Sequence, residues 1–296
     1  MAGTKKNGSA RGSAWSAALG MGLRLLRGPV GATILLAAVL VGGWYAIWHV
    51  VGQRVLQSER YVLAQENLEI TPPPEWIHTD IRAEVFRSLA FEGPLSIMDE
   101  GLVQRVGDAF ALNPWVARVL RVSKHHPARV KVDLEYRRPV CMVEVPGGLL
   151  PVDALGNWLR SEDFSPVEAA QYPRLSGVDS MPVGSVGMRW GDSRVVGGAE
   201  IAALLAGAWG ELQLARIVPS ARPQSGEHYS FDLYTRGGTR ILWGLPPGAG
   251  VSGDVPAAEK LARLRQYAAA HGTLEGSHQL DLRSLRGLEV LPAAPR

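Results

Sequence analysis

The sequence predicts an α+β chain with a single N-terminal transmembrane helix, then a β-α-α-β-β unit, then a mainly antiparallel β-domain with two helices. Three observations carry this expectation. An apolar run occupies positions 29–51, apolar residues recur at helical spacing between positions 81 and 110, and strict alternation of apolar and charged residues runs from Val130 to Arg137.

The chain has 296 residues, 46% hydrophobic and 20% charged, which is enough for about two domains with real cores. Residues 1–28 form a polar, basic tail. The run "PVGATILLAAVLVGGWYAIWHVV" follows, with His49 as its only side chain able to carry charge near neutral pH. A membrane span needs about 20 apolar residues, whereas a signal-peptide core has about 7–15, so a retained helix over 29–51 is expected. Trp44, Tyr45 and Trp48 cluster at its far end, where aromatic rings anchor to an interface. The cations Lys5, Lys6, Arg11, Arg24 and Arg27 lie on the near side, and the first acidic residue is Glu59. The positive-inside rule therefore predicts a cytoplasmic N-terminus and an extracytoplasmic remainder. Without those five cations the formal charge falls from +3 to −2. The body is slightly acidic, so no nucleic-acid partner is expected.

Residues 52–67 read as a juxtamembrane linker. A short strand follows at Leu68–Ile70 and stops at Pro72-Pro73-Pro74. Ile81, Val85 and Leu89 line one helical face, and Gly93-Pro94 ends that helix. Ser96 and Asp99 resemble a capping box for a second helix with Leu102, Val103, Val106 and Phe110 as its buried stripe. Asn113-Pro114 ends it. Val116–Lys124 reads as a strand with Leu120 and Val122 on one face. His126-Pro127 turns the chain into the alternating strand that begins at Val130.

From position 139 to 291 the chain reads as short strands broken by turns. Pro146-Gly147-Gly148 bends one hairpin, and Asp153–Gly156 makes a second turn. Gly198–Trp209 is a small Ala-rich helix. Gly237-Gly238 is the expected two-residue loop of another hairpin. Pro256–Ala270 reads as a helix with Leu261, Leu264 and Ala268 on its apolar side, and "HQLDLRSLRGLEVLP" as strand, turn and strand. Residues 292–296 form a short tail.

Several motifs are decoys. Gly248, Gly250 and Gly253 spell G-x-G-x-x-G, but Pro256 delays the helix and the neighbours are hairpins, so a loop is expected rather than a dinucleotide site. His125 and His126 point apart in extended chain and lack further ligands in the sequence, so no metal is expected there. The carboxylate pairs Asp99-Glu100 and Glu162-Asp163 read as solvated turns or helix starts. Cys141, the only cysteine, cannot form an intramolecular disulfide and reads as a small buried hydrophobe. No nucleophile, base and orienter stand in a recognisable pattern. The expectation is a non-enzyme with no catalytic, cofactor-binding or metal-ligating residues and no small-molecule substrate.

The ordered motifs resemble the FtsQ/DivIB cell-division proteins over nearly the whole chain. In "NPWVARVLRVSKHHPARVKVDLEYRRPV", residues Pro114, Trp115, Val116, Pro127, Glu135 and Pro139 stand at places similar to that family's pattern. Glu135 lies four rather than three residues before Pro139. "LLPVDALGNWL", through Asp153 and Gly156, and "YPRLSG" resemble two further motifs. Gly244, Lys260, Leu261, Asp281, Leu282 and Arg283 are similar to the closing set, while Ser284 stands where an aromatic is usual.

The resemblance implies a cytoplasmic tail (1–28), a membrane helix (29–51), a linker (52–67), a POTRA domain (68–138) and a partner-binding β-domain (139–291). It implies a scaffold at the division septum of the cytoplasmic membrane, with FtsB/FtsL-like division proteins as partners. A partner strand would pair along the last β-strand. The implied contacts are Asp281, Leu282, Arg283, Ser284, Leu285, Leu288, Glu289 and Val290. Leu285, Leu288 and Val290 would be the apolar contacts, and Arg283 and Glu289 the polar ones. The alternatives are a POTRA-containing secretion or assembly component and a membrane-anchored envelope hydrolase.

Overall fold

The structure, a computed structural model, describes residues 29–56, 61–272, 274, 276 and 278–292. The chain divides into two compact units, Met1–Val62 with Ser96–Asp99, and Leu63–Leu95 with Glu100–Arg296.

In the first unit, Pro29–Leu56 form one helix of 28 residues, α1. Leu35, Leu36, Val39, Leu40, Ile47 and the aromatic residues Trp44, Tyr45 and Trp48 are all exposed. No described residue covers their apolar surface. The unbroken run of described side chains in α1 covers only 35–49, and among the described residues no helix is long and apolar enough to cross a membrane. The expected span over 29–51 thus extends beyond the described side chains, and the basic tail 1–28 lies outside the described residues. Elsewhere in this unit Val62 bridges Ser96, and the Ile97 amide donates to the Tyr61 carbonyl at 2.8 Å.

The second unit is a mixed α+β body. Its first part follows the expected order: β1 (Leu68–Ile70), α2 (Ile81–Phe91), α3 (Leu102–Ala111), β2 (Val116–His125) and β3 (Arg129–Tyr136). Asp80 caps α2, its carboxylate accepting from the Ala83 amide at 3.0 Å, and Ile81, Val85 and Leu89 are buried. Helix α3 begins later than a cap at Ser96 would place it: Gly101 is its N-cap, and the Ser96 hydroxyl accepts from the Met98 amide instead. Leu102, Val106 and Phe110 are fully buried, and Val103 is only partly so.

The sheet order is β1-β3-β2, with β1 parallel and β2 antiparallel to β3. Val130, Val132 and Leu134 bury the inward face of β3. Strand β2 departs from the sequence expectation. Register shifts at 116/118 and 119/121 break its alternation, and Leu120 is left 57% exposed rather than sharing a core face with Val122.

The second part comprises β4 (Pro139–Val145), β5 (Gly148–Asp153), α4 (Pro166–Ala169), β6 (Arg174–Leu175), α5 (Ser193–Leu205), β7 (Leu214–Ser225), β8 (His228–Thr235), β9 (Arg240–Gly244), α6 (Ala257–His271), β10 (Gln279–Asp281) and β11 (Glu289–Leu291). They form one sheet in the order β11-β10-β9-β8-β7-β6-β4-β5. The sheet is mainly antiparallel, through β4/β5, β7/β8, β8/β9 and β10/β11, but it also holds the short parallel pairs β4/β6, β6/β7 and β9/β10. Helices α5 and α6 are the crossovers that two of these parallel pairs require. Among the described residues three α-helices lie here instead of two, the short α4 being capped at its N-terminus by a capping box at Ser165 and Glu168.

Helix α5 starts at Ser193, five residues before the expected Gly198, because the Asp192 carboxylate accepts from the Arg194 amide at 2.8 Å. Its two glycines set a close helix-to-sheet approach. A Cβ at Gly198 would come within 2.7 Å of the Leu175 side chain, and one at Gly197 within 2.8 Å of Phe231. The β8–β9 turn is longer than two residues. Thr235 donates its amide to the Thr239 carbonyl, and of the two turn glycines only Gly238 has positive φ. The G-x-G-x-x-G run is a short 3-10 turn, Pro247–Ala249, whose Gly248 amide donates to Glu200 of α5 at 2.8 Å.

Asp163 corrects another expectation. It is 5% exposed, not a solvated turn residue. Its carboxylate accepts from the Trp115 indole at 2.6 Å, the Thr79 hydroxyl at 2.7 Å and the Thr79 amide at 2.9 Å. Leu159 belongs to the buried core of the first part, the cluster that also holds Trp115 and Phe110. Arg137, at the junction, donates to Asp153 at 2.8 Å. The 68–138 and 139–291 segments are thus tied by buried polar contacts as well as by the chain.

Candidate partner-binding edge

The closing strands lie at one margin of the large sheet. Strand β10 pairs in parallel with β9 and antiparallel with β11, and β11 has no further neighbour among the described residues. The direction of the open backbone groups follows from one hydrogen bond. The Leu282 amide donates to the Leu242 carbonyl at 3.1 Å, so Leu282 and Leu280 turn their backbone groups toward β9. Alternation turns those of Gln279 and Asp281 toward β11, making Gln279/Leu291 and Asp281/Glu289 the hydrogen-bonded pairs. Leu280/Val290 is then the non-hydrogen-bonded pair. The N–H and C=O of Val290 therefore face outward, with no ladder partner among the described residues. Pro292 sits two residues on and has no N–H to add, which limits how far the edge extends.

Side chains follow the same alternation. Val290 shares its face with Leu280, which is fully buried, yet Val290 is 55% exposed. Leu285 is 69% exposed, while Leu288 is half-buried against the main core. The core face thus runs out to the margin and stops uncovered. Glu289 is exposed on the opposite face.

The turn between β10 and β11 is held firmly. The Asp281 carboxylate accepts from the Arg283 amide and Nε at 2.9 Å and from its Nη2 at 2.6 Å. The Arg283 guanidinium holds the Asp281 carboxyl below its usual range, against the opposing effect of burial. Arg263 of α6 donates to the Ser284 carbonyl at 2.6 Å and to Glu259 at 2.6 Å, fastening the turn to the helix. Below it, Lys260 is fully buried, 2.9 Å from the Asp254 carboxylate and over the Trp243 ring. Gly244, with φ +88°, gives Arg283 room: a Cβ there would lie 3.0 Å from the Arg283 side chain.

The residues expected to meet a partner therefore separate into two groups. Leu285, Leu288, Glu289 and Val290 lie at the open margin. Leu282 is fully buried, and Asp281, Arg283 and Ser284 are committed to holding the turn. Sequence reasoning missed Arg263 and Asp254, which support the edge from α6 and the loop before it. Nothing in the sequence signals either: Arg263 lies off the Leu261, Leu264 and Ala268 face of α6, and Asp254 lies in the loop before it.

Two other margins suit strand addition less well. The outer side of β5 is partly taken, since Leu159 donates to the Pro151 carbonyl at 2.8 Å and Asp153 to the Asn157 carbonyl at 3.0 Å. Strand β2 is open but bulged twice, and it carries Arg118, Arg121 and Lys124, features that oppose pairing. Cys141 is buried, and burial pushes its thiol pKa up to about 12, which removes it as a nucleophile at neutral pH. Compared with known proteins, the chain matches no family model and no curated protein.

Proposed function

We propose that this chain is a non-catalytic scaffold of the FtsQ type, anchored by α1 in the cytoplasmic membrane with residues 52–296 outside it. In this reading the β-α-α-β-β segment is a POTRA module. Strand β11 receives a strand from an FtsB/FtsL-like division protein. The observation that carries the reading is the open backbone of Val290 at an unbulged margin flanked by the uncovered side chains of Val290 and Leu285. An added strand would complete the ladder and cover that apolar face, combining main-chain hydrogen bonds with side-chain burial. The motif order from Pro114 to Arg283 supports the same assignment.

Depletion of the protein with imaging of septa tests the division role. Filaments or chains of undivided cells are expected, and normal division would remove the proposal. A protease added to spheroplasts tests the topology: the C-terminal body should be degraded, and its survival would contradict the orientation.

A further inference from the structure

The large sheet carries a cluster of positive charge that the scaffold role does not use. Arg174 of β6 and Arg216 of β7 are register partners on adjacent parallel strands, so their side chains leave the same face side by side. Arg216 is in turn opposite Tyr234, and its guanidinium lies 4.6 Å from the centre of that ring. Arg236, just after β8, completes the group. Together with Tyr172, Gln171 and Trp209 these arginines line a cavity of about 270 Å³ with no carboxylate among its described lining residues.

Among the described residues none of the three arginines has an acidic partner, although arginines elsewhere in the same sheet do, as Arg240 does in Asp232. The carboxylate whose charge reaches Tyr172 is Glu168, which already accepts from the Ser165 amide and lies 3.8 Å from His78. Arg138 adds a further positive charge near Tyr172.

Like charges in register on neighbouring strands destabilise a sheet, so this arrangement costs stability unless an anion enters. The backbone beside it is also unusual. Gln213 is the only non-glycine residue with positive φ (51°) among the described residues, and its carbonyl accepts from the Arg236 amide at 2.8 Å. That contact fixes the chain carrying the third arginine. Stacking on Tyr234 likewise holds the Arg216 fork in one orientation.

We propose that this cavity binds a phosphate or pyrophosphate group, with Arg174, Arg216 and Arg236 as its cationic ligands. Three arginines lining so small a volume match one multiply charged tetrahedral anion better than the spaced single charges of an acidic peptide. Burial raises the Tyr172 pKa, keeping its hydroxyl protonated as a further donor. Trp209 supplies an apolar wall for whatever the phosphate is attached to. The site lies on β6–β8, separated from the β10–β11 margin by β9, and does not depend on strand addition.

Calorimetric titration of the full chain in detergent with inorganic pyrophosphate tests this. Saturable 1:1 binding is expected, weakened at least about tenfold in Arg174→Gln and in Arg216→Gln, less in Arg216→Lys, and unchanged in Arg222→Gln outside the cavity. Thermal unfolding of each variant separates lost binding from lost fold. A parallel titration with short-chain phosphatidic acid distinguishes the source. Competition with pyrophosphate would assign a lipid headgroup, and binding of pyrophosphate alone would assign a soluble phosphate. The proposal fails if pyrophosphate does not bind, if the two glutamine variants in their folded state bind it as the parent does, or if hexaglutamate binds equally tightly at the same arginines.

Discussion

Replacing Val290 by proline isolates the outward backbone of β11. The Val290 N–H makes no ladder bond to β10, so its loss should change the stability of the chain itself by less than about 0.5 kcal/mol. In the proposed complex the same N–H donates to the incoming strand. Its removal costs a net hydrogen bond of about 1 kcal/mol and leaves a partner carbonyl without a donor, for a loss of roughly 1.5–2.5 kcal/mol. At about 1.4 kcal/mol per factor of ten, affinity should fall about 10- to 60-fold.

Glu289→Pro reverses the pattern. The Glu289 N–H faces β10 opposite Asp281, so this variant should destabilise the chain by about 1–3 kcal/mol. Both can be measured by interferometry with the extracytoplasmic segment of the FtsB-like partner immobilised, alongside thermal melts of the free chain in detergent. Unchanged affinity in Val290→Pro, or equal destabilisation of the free chain by the two prolines, would refute the assignment of backbone direction on which strand addition rests.

Asp163→Ala should destabilise the chain by about 3–5 kcal/mol in denaturant melts, because it leaves the Trp115 indole and both Thr79 donors unpaired. Asp254→Ala should cost about 3 kcal/mol by the same measurement, since it strands the buried Lys260 ammonium. The Asp281 carboxyl has a folded pKa below its usual 3.8. Its contribution is complete above the unfolded value and is lost as pH falls through the folded one. Partner capture should therefore be independent of this group from pH 7 to about 5 and weaken only below about 4. In Asp281→Asn that acid-dependent component should disappear. Cys141 should resist a thiol reagent at pH 8 in the folded chain and react once the chain is denatured, as followed by mass.

What could be read from the residues was local. Ile81, Val85 and Leu89, or Val130, Val132 and Leu134, repeat with the period of their own element, and every one of them is buried. The Pro146-Gly147 bend and the Asp153–Gly156 turn also follow from neighbours in sequence, Gly156 donating to the Asp153 carbonyl at 3.0 Å. Leu120 failed that logic because a bulge is an insertion relative to a partner strand, which the periodicity of one strand does not record. Asp163 failed it because its donors are 48 and 84 residues away. The parallel pairs were missed because hairpins are encoded by adjacent turn residues, while crossovers depend on how α5 and α6 pack.

The candidate edge shows the same split. That the chain closes with strand, turn and strand was legible in "LDLRSLRGLEVL". Which residues face a partner and which brace the turn was not, since Asp281, Leu282 and Arg283 look alike in sequence to the residues of an open strand.

By itself the sequence determined the order of elements, the apolar stretch ahead of them, and the faces that helices α2 and α3 and strand β3 bury, because these depend on spacing along one segment. Only the tertiary structure decided that Val290 turns its backbone outward, that Asp163 ties two segments together, and that Arg174 and Arg216 stand side by side with no acidic partner among the described residues. Each of those depends on the register between strands distant in the chain, and register is set by packing across the whole sheet rather than by any one strand's composition.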